Sequence, residues 1–105
     1  MIDLQRDGNI FTLTMDEGEN RWNTTFVRAF AAALDEIEGS KGPAALVTTS
    51  ANEKFFSNGL DLDWIRDSDT NTDHPGGDRA AFGAEFMTVM SRIITLSVPS
   101  IAAIN

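Results

Sequence analysis

One amphipathic segment decides much of the architecture that this chain can adopt. Between residues 24 and 38, apolar side chains recur at helical spacing, at Phe26, Phe30, Ala33, Leu34 and Ile37. That pattern predicts a helix with a single buried face. Asn23, Thr24 or Thr25 can cap its start by accepting a backbone N–H, and Gly39 stands where helices commonly end. Such a face has to be covered by a sheet or by other helices.

Short strands are predicted on both sides of this helix. Residues 2–6 and 10–15 alternate in polarity, and the Asp7-Gly8-Asn9 turn between them predicts a β-hairpin. Residues 44–49 (AALVTT) are apolar and β-branched, as in a buried strand. Because strand, helix and strand follow one another, we expect a right-handed crossover and a partly parallel sheet in an α/β fold.

The second half of the chain contains a polar loop, a helix and a last strand. Residues 67–78 (DSDTNTDHPGGD) show no periodicity and contain Pro and Gly, which predicts a mobile loop. Residues 79–96 carry a core-facing apolar stripe at Phe82, Phe86, Val89, Met90 and Ile93. After Pro99, residues 100–104 (SIAAI) are predicted to form a strand buried on both faces. A chain rarely ends on such a strand, so we expect these residues to be part of a longer domain.

Composition excludes several kinds of function. The formal net charge is -8 and the 8 Lys and Arg residues are scattered, so nucleic acid is not an expected partner, because its binding needs clustered basic groups. The chain contains no cysteine, which excludes disulfides, thiolate catalysis and cysteine-based zinc sites. No apolar run approaches the length of a membrane span, and the start lacks the features of a secretory signal. We therefore expect a cytoplasmic protein without a membrane partner.

Residues 67–78 contain the candidates for metal or base chemistry. The spacing of a calcium-binding loop is met by Asp67, Asp69, Asn71, Asp73 and Asp78. However, Thr72 stands where such a loop needs Gly, which favours a solvated acidic loop and no metal site. His74 has no nucleophile motif to assist, so we interpret it as a solvated loop histidine.

The stretch KFFSNGLDLDWIR, residues 54–66, is the strongest candidate for a functional site. Asn58-Gly59 is a common hairpin turn, but the residues after Gly59 fit a helical turn better than a partner strand. A strand, then Gly, then a helix start would be a different structure. Gly permits a positive φ and close approach of the backbone to a ligand, and the unpaired amides of a helix start can hold negative charge. The residues alone leave both interpretations open.

This stretch resembles a motif of the crotonase superfamily, the enoyl-CoA hydratase/isomerase family. The motif K-x-F-S-x-G-x-D-L is matched by Lys54, Phe56, Ser57, Gly59, Asp61 and Leu62. The strand at 10–15 followed by ENRWN resembles the family's opening, and PSIAAIN at 99–105 resembles its P-x-I-A-A-x-N-G strand. The resemblance implies an α/β fold of the ClpP/crotonase type, a spiral of β-β-α units. Residues 1–105 would form the N-terminal part of this single domain, incomplete at the C-terminus.

The resemblance also implies an enzyme that acts on acyl-CoA thioesters and holds a thioester enolate between two backbone N–H groups, an oxyanion hole. The first of these groups would belong to Leu60. Arg21 is the best candidate for a phosphate contact, with a solvated loop charge as the alternative. The implied substrate-binding residues, along the CoA channel and around the adenine, are Asn20, Arg21, Trp22, Ser57, Asn58, Gly59, Asp61 and Leu62. Since CoA is part of the substrate, no separate cofactor is implied.

The resemblance finally implies what these residues lack. In the family, the second N–H group and the catalytic carboxylates follow the strand matched by PSIAAIN, so we expect residues 1–105 alone to be inactive. The sequence SNGLDLDW, residues 57–64, is closer to that of isomerase-like members than to that of hydratases. Family members assemble as trimers or pairs of trimers, which implies a homo-oligomer. The alternative from another class is a non-enzymatic acidic module that binds calcium or a protein partner through residues 67–78.

Overall fold

The computed structural model describes residues 1–70 and 79–105, with the side chains of all of them except residues 68–70. Strands and helices are interspersed along this part of the chain, as the α/β interpretation requires. In chain order they are β1 (Ile2–Asp7), β2 (Ile10–Met15), α1 (Thr24–Glu38), β3 (Ala45–Ser50), α2 (Leu62–Thr70), α3 (Arg79–Ile94) and β4 (Ser100–Ala102). The predicted α/β class is confirmed.

The strands form one sheet in the order β1-β2-β3-β4. Strands β1 and β2 are antiparallel, whereas β2, β3 and β4 pair in parallel. Asp7 pairs with Ile10 across the predicted hairpin, which leaves Gly8 and Asn9 as the turn, and Gly8 has the positive φ of 60° that such a turn favours. Parallel pairing of β2 with β3 requires a crossover connection, and α1 supplies it.

Helix α1 provides the apolar face that covers the sheet. Its cap is Asn23, whose side chain accepts the backbone N–H of Phe26 at 3.0 Å. At the other end, Gly39 donates its backbone N–H to the carbonyl of Asp35 at 2.9 Å. The core joins the buried side of this helix to alternate residues of β2 and to β3, through Phe26, Val27, Phe30, Ala33, Leu34, Ile37, Phe11, Leu13, Met15 and Leu46. The predicted helix and its buried face are confirmed.

Helix α3 lies beside α1 and ends at Ile94 instead of residue 96. The predicted stripe is buried or partly buried against the core, at Phe82, Val89, Phe86, Met90 and Ile93. Ion pairs connect the two helices on their outer side, between Arg28 and Glu85 at 3.1 Å and between Arg92 and Asp35 at 2.8 Å. The stripe prediction is therefore confirmed.

Two predictions about residues 54–78 need correction. The residues before Gly59 form a loop instead of a strand, since no strand lies between β3 and α2 in this fully described segment. Helix α2 continues to Thr70, so residues 67–70 are helical and Asp67 does not open a calcium-type loop. Trp64 and Ile65 of α2 pack against the core, and this packing stabilises a helix that the polar sequence alone does not favour. The remainder of the predicted loop, including His74, lies outside the described residues.

Strand β4 is the clearest departure from expectation. It was predicted over residues 100–104 and buried on both faces, but it covers Ser100–Ala102 and is exposed throughout. It pairs with β3 along one edge and is last in the sheet order. In the described part of the chain nothing covers Ile101, which is 65% exposed. Apolar sequence signals a strand, but only neighbouring elements can bury it.

Because an exposed apolar edge strand invites pairing with another chain, we expect the substitution Ile101→Lys to weaken self-association of the 105-residue chain by several fold. The matched control is Met87→Lys on α3, where Met87 is 62% exposed but lies on no sheet edge. Both variants change the net charge equally. Sedimentation velocity at several concentrations measures the effect, and equal behaviour of the two variants would show that general surface hydrophobicity causes the association.

Candidate functional site

Two loop segments run side by side above the ends of β2 and β3 and form the candidate site. The backbone N–H of Trp22 donates to the carbonyl of Gly59 at 2.8 Å, and the N–H of Asp61 donates to the carbonyl of Trp22 at 2.9 Å. Nearby, the N–H of Asn58 donates to the carbonyl of Glu19 at 2.9 Å. This pattern is a parallel bridge between Trp22 and Leu60. The predicted segments around residues 20–22 and 57–62 are thus brought together.

Leu60 presents its backbone N–H away from this bridge. Gly59 C=O and Leu60 N–H belong to one peptide unit, in which the two bonds point in opposite directions. Because Gly59 C=O is held by Trp22, Leu60 N–H must point away from Trp22. Across residues 1–70 and 79–105 no hydrogen bond uses this N–H. The site therefore contains a fixed and unpaired backbone donor.

Gly59 sets the direction of that peptide unit through a positive φ of 77°. Nothing lies within 4 Å of the place where a Cβ would stand, so the constraint on this position is the backbone conformation and not crowding.

The substitution Gly59→Ala is accordingly expected to destabilise the chain by about 1–2 kcal/mol, the usual cost of a left-handed conformation for a residue with a Cβ. Gly83→Ala is the matched control, because a Cβ at Gly83 also meets nothing within 4 Å but lies in the interior of α3. There, alanine should stabilise the helix by roughly 0.5–1 kcal/mol. Thermal unfolding of the two variants should shift in opposite directions; a shared direction contradicts this account.

Asn20 begins the first segment, and its side chain is fully buried, at 0% exposure. Its Oδ1 accepts the backbone N–H of Glu17 at 2.9 Å. Its Nδ2 donates to Ser50 Oγ at 2.8 Å and to the carbonyl of Phe56 at 3.0 Å. Asn20 was predicted to bind substrate, but in this conformation a ligand cannot reach its side chain. The geometry instead lets Asn20 support the loop that leads to Gly59.

The other predicted residues of the second segment differ in exposure. Ser57 Oγ donates to the carbonyl of Asn20 at 2.7 Å and accepts the N–H of Gly59 at 3.3 Å, so it also supports the loop. Asn58 is exposed, and Leu62 is 65% exposed at the start of α2. Both are therefore accessible, whereas Ser57 has a supporting position.

Trp22 connects the site to the core. It is 9% exposed, and its ring packs edge-on against Phe26 with centroids 4.5 Å apart and against Phe86 at 5.4 Å. Edge-to-face pairs of this kind add to the stabilisation from burial. The backbone of Trp22 therefore orients Leu60 while its side chain is part of the core.

Arg21 lies at the surface, beside an open pocket. Its guanidinium pairs with Glu19 at 2.7 Å. The pocket has a volume of about 450 Å³ and is lined by Met1, Ile2, Glu17, Glu19, Arg21, Asn23, Thr25, Phe26, Ala29 and Asp61. Leu60 is not among these residues, and the three carboxylates of the lining outnumber its two cations, which are Arg21 and the N-terminus of Met1. This placement keeps Arg21 accessible to an anion but already engaged with a carboxylate.

Two side-chain contacts at the site were not predicted. Asn52 organises the loop after β3 by accepting the N–H groups of Lys54 and Phe55 at 2.8 and 3.0 Å. Asn two residues after the end of β3 at Ser50 is a turn signal in its own right, so the sequence could have indicated this contact. The second contact joins Asn23 to Asp61 at 3.0 Å, and no local pattern indicates it.

Within residues 1–70 and 79–105, no cluster of three or more His, Asp or Glu side chains could hold a metal ion. In the same described part, every helix is too short or too polar to cross a membrane.

The matches to known proteins agree with this fold. The family model for enoyl-CoA hydratase/isomerase matches residues 5–105. The chain belongs to the enoyl-CoA hydratase/isomerase family, the crotonase superfamily. The resemblance seen in the sequence is confirmed.

Curated relatives and solved structures cover the chain almost completely but extend well beyond it. The chain is 31% identical to "Enoyl-CoA delta isomerase 2, peroxisomal" of Arabidopsis thaliana. The matched region covers 100% of this chain and 44% of that protein. It is 28% identical to "Enoyl-CoA delta isomerase 3" of the same organism, with 43% of that protein covered. The chain therefore spans less than half the length of these relatives.

Solved structures support the same fold. An enoyl-CoA hydratase from Bacillus halodurans superposes with a TM-score of 0.85 at 14% identity, over 99% of this chain and 41% of that one. An enoyl-CoA hydratase/carnithine racemase from Magnetospirillum magneticum gives 0.82 at 24% identity, over 98% and 38%. The described chain thus has a crotonase-type α/β fold, incomplete relative to these neighbours.

Proposed function

We propose that residues 1–105 form one half of an acyl-CoA site, in which the backbone N–H of Leu60 is the first oxyanion donor. The observation that carries this proposal is that the N–H is unpaired in the described structure while its peptide unit is held by Trp22. The substrate class is supported by family membership and by relatives named as enoyl-CoA isomerases.

The chemistry of an enolate explains the value of such a donor. When a proton leaves the carbon beside a thioester, negative charge develops on the carbonyl oxygen. A fixed N–H aimed at that oxygen stabilises the enolate more than the uncharged thioester, and this difference lowers the barrier. Donation by Trp22 to the carbonyl of Gly59 polarises the same peptide unit and strengthens Leu60 as a donor.

The remaining predicted residues have two kinds of role in this proposal. Arg21 and Asn58 are exposed and contact the CoA portion, with Arg21 at a phosphate. Asn20, Trp22 and Ser57 position the loop. Proton transfer between substrate carbons by a carboxylate, as in isomerisation, is preferred to hydration because the relatives are named delta isomerases.

Location and assembly stay predictions. The expected homo-oligomer rests on the family alone. The expected cytoplasmic location contrasts with a relative whose name includes the word peroxisomal.

Titration of the ¹⁵N-labelled chain with hexanoyl-CoA and, separately, with CoA tests the proposal. Only hexanoyl-CoA has a thioester carbonyl, so the amide signals of Leu60 and Gly59 should shift with hexanoyl-CoA alone. The amide signals of Arg21 and Asn58 should shift with both ligands. If CoA moves the Leu60 signal as much as hexanoyl-CoA does, the thioester does not reach this donor and the proposal is wrong.

The 105-residue chain is expected to show no turnover of crotonyl-CoA or of a 3-enoyl-CoA. The resemblance places the family's catalytic carboxylates after the strand matched by residues 99–105. The carboxylate next to the donor, Asp61, is held as a helix cap by hydrogen bonds from Asn23 and from the backbone N–H of Trp64. The measurement is the ultraviolet absorbance of the enoyl thioester, against a reaction without protein. Turnover above that background contradicts the expectation.

A further inference from the structure

Two helix caps are joined side chain to side chain at the candidate site. Asn23 caps α1 through Oδ1, which accepts the N–H of Phe26 at 3.0 Å. Asp61 caps α2 in the same way, since its Oδ1 accepts the N–H of Trp64 at 3.1 Å. The remaining polar atoms meet each other, and Asn23 Nδ2 donates to Asp61 Oδ2 at 3.0 Å. We call this last hydrogen bond the cap bridge.

The cap bridge lies directly beside the peptide unit that carries the free donor. Leu60 is held on one side by the bond from Trp22 to Gly59, and on the other by the bond from Asp61 to Trp22. The cap bridge adds a third connection one residue further along each segment. Because each of its side chains is also fixed by a helix start, neither can rotate freely, and the starts of α1 and α2 are linked across Leu60.

We infer that the cap bridge positions the Leu60 N–H for the thioester oxygen, so that Asn23 and Asp61 are positioning residues of the oxyanion site. The inference rests on the proposed function and adds a requirement to it. The three connections act on the same short stretch. Loss of the cap bridge leaves two main-chain hydrogen bonds to hold the peptide unit of Gly59, a residue that has many backbone conformations open to it. A hydrogen bond weakens steeply once its angle at the hydrogen falls below about 120°, so a donor that tilts away from the thioester oxygen loses much of its effect.

Two substitutions break the cap bridge while keeping both helix caps. Asn23→Asp retains the oxygen that accepts from Phe26 but places a carboxylate oxygen against Asp61. Asp61→Asn retains the oxygen that accepts from Trp64 but places two NH₂ donors against each other. Asp and Asn are comparable caps, so cap loss does not confound the result. The double variant N23D/D61N exchanges the two side chains. Residue 61 then donates and residue 23 accepts, so the hydrogen bond is restored in the opposite direction between side chains of the same size.

The readouts are the ratio of affinities for hexanoyl-CoA and CoA, the Leu60 amide signal of the free chain, and the melting temperature. Each single variant should lower the affinity ratio about three- to fivefold, less than the roughly tenfold expected for complete loss of one hydrogen bond, and should shift and broaden the Leu60 signal. The double variant should restore both to within about twofold of the original chain. A purely structural bridge would change the melting temperature alone.

The inference is overturned if the single variants leave the affinity ratio and the Leu60 signal unchanged. It is also overturned if the double variant recovers the melting temperature without recovering these two quantities. Failure of the proposed function looks different, because the unsubstituted chain would then show no preference for hexanoyl-CoA. In that case the Leu60 signal of the free chain decides alone: it must change in both single variants and return in the double variant.

Discussion

Replacing Leu60 by proline is expected to abolish the preference of the chain for hexanoyl-CoA over CoA, by a loss of about tenfold in affinity for hexanoyl-CoA. Proline has no backbone N–H, and no hydrogen bond in the described part of the chain uses this one. The substitution therefore removes the donor without removing a bond of the fold. A hydrogen bond contributes on the order of 0.5–1.5 kcal/mol, and about 1.4 kcal/mol corresponds to tenfold. Affinity for CoA should not change.

Leu60→Ala is the matched control. It shortens a side chain that is 39% exposed but keeps the N–H, so the preference for hexanoyl-CoA should remain. Both variants are first compared by circular dichroism to establish that they are folded. Loss of the preference in Leu60→Ala would assign it to the side chain, and a retained preference in Leu60→Pro would exclude the oxyanion role. In an enzyme that turns over, loss of one such donor typically costs about 10²–10³ in kcat.

Elements with a complete local signal were predictable from the sequence. Helix α1 combines a cap at Asn23, an apolar stripe and Gly39, and the hairpin has its turn at Gly8. Local bonds determine these features, so local sequence is sufficient. The apolar residues of β4 indicate a strand but not its burial, because burial depends on which neighbours cover it. Helix α2 is longer than predicted because contacts of Trp64 and Ile65 with the core stabilise it, and such contacts also depend on neighbouring elements.

The site was predictable as a stretch of backbone but not as a set of side-chain roles. The motif around Gly59 indicated which stretch of backbone to examine, and in the structure Leu60 of that stretch forms a bridge with Trp22. The bond between Asn23 and Asp61 joins residues far apart in the sequence, and either residue alone reads as an ordinary cap. Such pairs form because the fold brings two residues close in space, and a single sequence does not show which distant residues become neighbours.

Asn20→Ala is expected to have the largest effect on stability, about 2–3 kcal/mol. The residue is 0% exposed, and its side chain bonds Glu17, Ser50 and Phe56. Removing this side chain leaves partly buried partners without a hydrogen bond, and each such group lowers the free energy of unfolding by about 1–3 kcal/mol. Small domains are stable by only about 5–15 kcal/mol, and about 1 kcal/mol lowers the melting temperature of a 60–100-residue domain by roughly 4–8 °C. Thermal and urea unfolding measure the loss.

Two further variants decide whether Asn20 supports the loop or binds substrate. Asn20 has a positive φ of 55°, which glycine adopts freely, so Asn20→Gly should lose about 1 kcal/mol less than Asn20→Ala while losing the same hydrogen bonds. Asn58→Ala, at an exposed position of the same loop, should stay within about 0.5 kcal/mol. A residue that only binds substrate would change affinity and leave unfolding unaltered. A small stability loss in Asn20→Gly, with reduced affinity for CoA, would therefore return Asn20 to the substrate channel; a large loss assigns it to the support of Gly59 and Leu60.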